Sequence, residues 1–447
     1  MQKQNNQTLD LTRGPVIRSM LVFAWPLIAG NLLQQCYNIA DTLIVGRLLG
    51  QDALAAVGSA FSLMTFLTSI ILGLCMGSGA LFAIRIGEKD DAALRESLTA
   101  SFLLTAASTV LLTVVSYGLL GVLGRWLRVP DSVWPDMRSY LLYIFAGIPA
   151  VSLYNYYASA LRSAGNSITP LWFLAAAAVI NVVLDLFFVM HLRLGVWSTA
   201  LATAAAQYAA GVSICLWTVR RFPLLRLFRG RPAARRYREV AAYSLLTCAQ
   251  QSVMNLGILT VQGLVNSFGA VTMAAFAAGV KIDAFAYAPC QDFGNAFSTF
   301  IAQNYGAGKE QRIRAGLRGA VLVAAVFSAL VSLLVFVFAR PLMELFVSAS
   351  QTAIVRAGCA YLRTEGAFYP GIACLFLFYG LFRALARPGI SLVLTIISLG
   401  SRVALAYILS IPFGPDGIWW SVPIGWGLAD LAGLLFCRAF RRRGRSL

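Results

Sequence analysis

Apolar and polar positions alternate along this chain on a long scale. Mostly apolar blocks are separated by short polar breaks, and the period inside the blocks does not pick out a single wet face. Twelve such blocks are read at 17–49, 53–84, 97–124, 137–161, 168–192, 196–219, 240–267, 272–304, 315–339, 354–382, 389–411 and 417–437. A helix needs about 20 residues to cross the hydrocarbon core, so each block predicts a membrane span. Several blocks are longer, which predicts tilted helices or ends that project from the bilayer.

Composition excludes a water-soluble fold. Apolar residues make up 59% of the 447 positions and charged residues 12%, about half the usual charged share, and the mean hydropathy is +0.74. The formal net charge of +18 invites a nucleic-acid reading, but the basic residues collect in the breaks between apolar blocks, which is an orientation signal and not a binding stripe. With twelve spans the termini share one side. That side carries 26 Lys and Arg and the opposite side 8, with Lys281 and Arg402 inside spans. The excess predicts cytoplasmic termini and a plasma-membrane location. The eight Cys are scattered singly and form no CxxC pattern, and the single His191 has no His or Cys partner, so no metal-ligand cluster of that kind is expected. The polar first residues (MQKQNNQTLDLTRGP) lack the basic-then-apolar order of a signal peptide.

The longest basic interruption, Arg220–Arg238, separates two halves that resemble each other. At an offset of 219, Gly50 meets Gly269, Phe66 meets Phe285, Gly87 meets Gly306 and Arg95 meets Arg314. Farther along, Arg162 meets Arg383 at 221, and Gly195-Val196-Trp197 meets Gly417-Ile418-Trp419 at 222. Six spans per half predict parallel repeats related by an axis along the membrane normal, with substrate between them. The expected organisation is a tail at 1–16, a six-helix lobe at 17–219, a basic linker at 220–239, a second six-helix lobe at 240–437 and a basic tail at 438–447.

The copies differ where chemistry is expected. Asp41 aligns with Thr260, Asp185 with Ala406 and Asn181 with Arg402. A charged Asp near a helix centre costs about 2.5–3.5 kcal/mol on insertion scales, so an intramembrane carboxylate calls for a function. Helical rise puts Asp41 roughly 12 Å, and Asp185 and Thr203 each roughly 10 Å, from the outer ends of their spans. Asn181 lies one turn from Asp185 on the same face, and Tyr37 and Gln34 lie one and two turns from Asp41. Asn155 is a further wall candidate. Carboxylates that exchange a proton, or that join amide and hydroxyl oxygens around a hard cation, are the chemistry of an H⁺ or Na⁺ site. Asp41, Asn181, Asp185 and Thr203 are therefore the expected cation-coupling set. Pro26, inside the first span, removes a backbone hydrogen bond and can bend it.

The second half carries its own polar set: Gln250, Gln251 and Asn255 in its first span, and Lys281, Asp283, Gln291, Asp292 and Asn295 in its second. Arg402 requires a partner, for which Asp283 or Asp292 is available, and Lys281 and Asp292 share a helical face. These residues are read as either structural or substrate-facing. Phe276, Phe285, Tyr287 and Phe293 would suit organic cations through cation–π contact, or simply pack helices. No cofactor beyond the coupling ion is expected, and one His makes a membrane enzyme a poor fit. A channel fits less well than a transporter, because paired buried carboxylates on a duplicated scaffold favour alternating access.

Taken together, WPLIAGNLLQQCYNIADTLIVGRLLG, LRSAGNSITP, NVVLDLFFV, QNYGAGKEQRI and GIWWSVPIGW resemble the signatures of the multidrug and toxic compound extrusion (MATE) family over nearly the whole chain. The resemblance implies an all-α polytopic membrane protein, with twelve transmembrane helices in two pseudo-symmetric six-helix lobes around a central cavity. It implies export of small-molecule drugs or metabolites by alternating access in exchange for H⁺ or Na⁺, by a monomer working in the lipid bilayer. The DNA-damage-inducible F-like branch matches best, with Asp41, Asn181, Asp185 and Thr203 at its N-lobe site and Gln34, Tyr37, Asn155 and Pro26 nearby. Other branches place a Glu on span 7 and an Asp on span 10; here span 7 has Gln250 and Gln251 and span 10 has no interior Asp, so a C-lobe cation site of that type is not expected. The alternative cargo within the superfamily is a lipid-linked oligosaccharide or lipid.

Overall fold

A backbone in hydrocarbon has no water to bond, so each peptide group must be satisfied within its own helix or a closed barrel. The chain takes the first route throughout. The computed structural model describes residues 8–122, 133–228 and 232–442. The parts of the expected tails and linker at 1–7, 229–231 and 443–447, and the end of the expected third span, lie outside the described residues. The elements are helices α1 (Val16–Leu48), α2 (Gln51–Glu88), α3 (Asp91–Gly118), α4 (Trp134–Ala146), α5 (Ile148–Ser163), α6 (Ile168–Leu186), α7 (Trp197–Arg221), α8 (Ala234–Asn266), α9 (Ala270–Gly306), α10 (Glu310–Val337), the short α11 (Ala339–Glu344), α12 (Thr352–Gly366), α13 (Tyr369–Ala384), α14 (Pro388–Phe413) and α15 (Pro415–Arg442).

Nine helices among the described residues are long and apolar enough to cross a membrane, or ten with the bent pair α12–α13 taken as one span. The twelve expected spans are nonetheless all present as helical elements. The fourth is divided into α4 and α5, each too short to cross alone, and α8 is less apolar than those nine because Gln250, Gln251 and Asn255 lie within its uncharged stretch. The division of the fourth and tenth spans has one cause. Pro149 and Pro370, 221 apart, stand in the first turns of α5 and α13. A proline is well placed in a first turn, where no helical N–H is lost, and here each span ends and restarts at one, with a bend of 50° between α12 and α13.

The repeat is also written in the backbone. Gly50 and Gly269 precede α2 and α9 with φ of 91° and 90°, a conformation open to glycine at little cost. Lys89 and Gly308, again 219 apart, both take positive φ at the ends of α2 and α9.

The helices group into two compact units. The first comprises residues 1–9 and 29–248, the second 10–28 and 249–447. Relative to the lobes expected at 17–219 and 240–437, the start of α1 (with Pro26) belongs to the second unit, and the start of α8 belongs to the first.

The first unit packs α2, α3, α4, α5 and α7 around Phe82, Tyr156, Tyr157, Phe145 and Leu161. Small residues let backbones meet, as is common where lipid gives no hydrophobic drive. A Cβ on Gly77 or Gly73 would fall 2.3 Å from the Tyr243 carbonyl oxygen or 2.5 Å from Cα of Cys248. Ser101 Oγ donates to Ser78 Oγ at 2.6 Å, and Ser78 and Ser244 share a hydrogen bond at 2.7 Å. Beside this seam Arg85 bonds Glu88 and Glu239, and Arg236 reaches Glu96 at 3.2 Å and Glu239 at 2.9 Å.

In the second unit α9 packs on α10, α12 and α13, and α14 packs along α15. The segment before α1 is held here. Arg312 donates to the carbonyls of Leu11, Arg13 and Gly14, and Lys309 Nζ donates to that of Thr12 at 2.8 Å.

Candidate cation site and a second buried carboxylate cluster

Helices α6 and α7 are neighbours. Asn181 and Asp185, four residues apart, therefore face one side of α6, where Asn181 Nδ2 donates to Thr203 Oγ1 of α7 at 3.1 Å. Asp185 is fully buried and Asn181 is 2% exposed. Helix α6 passes into a π-helical turn at Phe187–His191 directly after Asp185; such turns re-aim side chains and recur at functional positions. The turn's His191 stacks on Phe187 at 5.5 Å. From α1, Asp41 reaches Asp185, and the two carboxyl groups interact through their side chains. Tyr37 of α1 and Tyr140 of α4 complete the surroundings of the pair. Among the described residues no Arg or Lys is one of the groups acting on either aspartate.

Asp41 Oδ1, both carboxyl oxygens of Asp185, and Asn181 Oδ1 are buried and accept no hydrogen bond. Buried polar atoms are nearly always paired, and an unpaired one costs about 1–3 kcal/mol, more when charged. Here all four are acceptors, converging from α1 and α6. A proton shared between the carboxyl groups, or a hard cation among the oxygens, is what such a set can take. The described residues hold no group of three or more His, Cys, Asp or Glu suited to a metal ion.

The other expected wall residues are placed less uniformly. Gln34 is exposed, and Asn155 spends its amide on the Val151 carbonyl of its own helix at 2.8 Å. Pro26 is buried in the other unit, and α1 runs unbroken through it. In the second unit Gln251 is buried, and Asn255 Nδ2 donates to its carbonyl oxygen at 3.1 Å. Lys281 is exposed, and Gln291 and Asp292 are half-buried on α9.

The second unit holds a carboxylate cluster that sequence reading named only in part. Asp283 of α9 accepts hydrogen bonds from the hydroxyls of Tyr361 on α12 and Tyr369 on α13. Tyr361 also lies 3.2 Å from Glu365 Oε2. Glu365 is 4% exposed and Asp283 2%, and the two acids interact through their side chains. Arg402 of α14 acts on both without a direct ion pair; of its two candidate partners Asp283 is engaged, together with the unforeseen Glu365. Trp419 stacks on Phe276 at 5.6 Å and meets Tyr361 edge-on at 5.0 Å, closing one side. Tyr140 and Glu365 were the residues missed. Tyr140 lies 221 positions before Tyr361, so the repeat was the signal that could have found it. Glu365 lies inside its apolar block but follows Arg363 and Thr364 closely, so the local sequence reads as polar and does not show that the carboxylate is buried against Asp283.

A family model described as MatE matches residues 26–187 and 244–408. The chain is 27% identical over 443 residues to the "Probable multidrug resistance protein YpnP" of Bacillus subtilis (strain 168), covering 98% of each chain. It is 25% identical over 425 residues to an "FAD transporter" of Shewanella oneidensis, covering 93% of this chain and 92% of the relative. Among solved structures it resembles the "Outward-facing conformation of a multidrug resistance MATE family transporter of the MOP superfamily", with a TM-score of 0.90 at 22% identity over 98% of each chain. Both halves of the repeat carry the family match, and the chain belongs to the MatE family of multi-pass membrane transporters.

Proposed function

We propose that this protein is a cation-coupled exporter of small organic molecules, a multidrug efflux transporter, with Asp41, Asn181, Asp185 and Thr203 as its coupling site. The observation that carries the reading is the set of four buried acceptor oxygens without donors on Asp41, Asp185 and Asn181. A site with two carboxyl groups and no resident cation is charge-balanced only by protons or a bound cation. Filling it removes the penalty of the unpaired oxygens, so the filled and empty states favour different surroundings. That differential is what an ion gradient needs to drive a conformational cycle.

The cargo follows from relatives: two of those that match along nearly the whole chain are named as multidrug resistance or export proteins, which does not favour a lipid-linked cargo. The coupling ion is H⁺ or Na⁺, the branch is the DNA-damage-inducible F-like one, and the working unit is a monomer in the plasma membrane. The basic excess at the inner breaks supports cytoplasmic termini.

The test is efflux of a fluorescent organic cation from proteoliposomes under separately imposed H⁺ and Na⁺ gradients. One gradient is expected to drive export by the wild type, and neither by Asp41→Asn or Asp185→Asn. Gradient-driven export by both variants at wild-type rates would overturn the assignment.

A further inference from the structure

Position 402 is a point inside the apolar spans where the two halves differ in charge. At the offset of 221, Tyr140 aligns with Tyr361 and Asn181 with Arg402; at 222, Thr203 aligns with Gly425. In the first unit the amide of Asn181 donates to the hydroxyl of Thr203 at 3.1 Å. In the second unit a guanidinium replaces the amide, and a glycine replaces the threonine. That glycine leaves little space: a Cβ on Gly425 would stand 2.6 Å from the Ser398 carbonyl oxygen and 3.3 Å from Cβ of Arg402. A threonine there would collide with the helix that carries Arg402.

The charges of the two pockets differ accordingly. Asp283 from α9 and Glu365 from α12 face each other, and Tyr287, Tyr361, Tyr369 and Arg402 are the remaining titratable or charged groups around them. Asp283 is satisfied by two tyrosine hydroxyls, while Glu365 Oε1 is buried and accepts no hydrogen bond. One proton shared by the two acids, plus one guanidinium, leaves this cluster neutral. Asp41 and Asp185 can share a proton in the same way, but among the described residues no guanidinium is one of the groups acting on them to balance the charge that remains.

We propose that Arg402 is a tethered cation: it fills in the second unit the role that an exchangeable cation fills in the first, and so closes the Asp283–Glu365 cluster to ions from solution. The duplicated scaffold thereby keeps one exchangeable site per chain. Replacing Arg402 with the amide found at its repeat equivalent opens a second.

The test is equilibrium binding of radioactive Na⁺ to the purified full chain at alkaline pH. Arg402→Asn is expected to bind one more Na⁺ per chain than the wild type. Arg402→Lys is expected to match the wild type, and Arg402→Asn with Glu365→Gln to return to the wild-type number. An Arg402→Asn protein that elutes as folded and binds no additional Na⁺ overturns the proposal. So does a wild-type protein that loses bound Na⁺ on Glu365→Gln. Should Arg402→Asn fail to fold, thermal unfolding of Arg402→Met decides. Its Tm is expected to fall, with at least half of the loss recovered by adding Glu365→Gln; no recovery overturns the proposal. The inference rests on the first-unit reading only for its comparison. Repeating the measurement on Asp41→Asn/Asp185→Asn protein separates the two failures, because the Arg402→Asn gain persists there even if the first unit binds no ion.

Discussion

Tyr140 and Tyr361 occupy equivalent places in the two halves, and each faces a pair of acids, yet the pairs are built differently. The acids of the first unit come from α1 and α6, have no Arg or Lys acting on them among the described residues, and leave four oxygens of the pocket without donors. Those of the second come from α9 and α12, with two tyrosine hydroxyls on Asp283 and Arg402 within electrostatic reach. Burial alone therefore does not make a carboxylate a coupling group. What separates the pockets is whether the protein itself supplies the donors and the positive charge. A pocket in which the protein supplies most of the donors and a compensating charge, as around Asp283, is expected to be a structural element, strongly destabilised when one partner is removed. An incomplete pocket is in tension until something from solution enters it, and that is the property a coupled transporter requires.

The comparison fails most visibly if Asp185→Asn keeps coupled transport. Gradient-driven export is expected to drop by about 100-fold, equivalent to roughly 2.7 kcal/mol of lost coupling, with the Tm unchanged or raised because an amide brings donors to a pocket that lacks them. Proteoliposome flux and thermal unfolding of the same preparation check both halves of that statement. Asp283→Asn should do the reverse. Removing one charge strands Arg402 and weakens the two tyrosine hydrogen bonds, at a cost of about 3 kcal/mol, seen as a lower Tm, while the protein that folds keeps its ion dependence. A finer contrast lies in the equivalent tyrosines. Tyr361→Phe deletes a donor to a carboxylate and should cost about 1.5–3 kcal/mol of stability. Tyr140→Phe removes a hydroxyl that, among the described residues, hydrogen-bonds neither aspartate, and should cost under about 1 kcal/mol; equal Tm losses would show that the two pockets are structurally alike. The smallest effect is expected at Thr203. Thr203→Val removes the acceptor for Asn181 and should raise the ion concentration for half-maximal transport about three- to tenfold, at 1.4 kcal/mol per tenfold, while Thr203→Ser should leave it within about twofold.

The repeat made much of the first pocket legible. Asp41 and Asp185 stood out because their equivalents are Thr260 and Ala406, and the helical period put Asn181 beside Asp185, where its amide bonds Thr203. The breaks of the fourth and tenth spans were not foreseen, although Pro149 and Pro370 mark them; within an apolar block a proline can bend a helix or end it, and packing selects between these. Lys281 and Asp292 share a face on paper, yet Lys281 is exposed and Asp292 half-buried, because helical phase gives direction without telling which neighbours stand there.

The linear order of residues was enough to determine the all-helical membrane class, the duplication and the two intramembrane aspartates of the first half. These follow from local rules: apolar length against bilayer thickness, the 3.6-residue period, and the cost of charge in hydrocarbon. Only the tertiary structure decided that Tyr140 joins the aspartates, that Glu365 meets Asp283, and that Arg402 comes within electrostatic reach of both without an ion pair. It also decided that the start of α1 belongs with the second unit and the start of α8 with the first. Such partnerships join residues far apart in the chain, and charge balance in a buried pocket is a property of everything that surrounds it, which no single segment encodes.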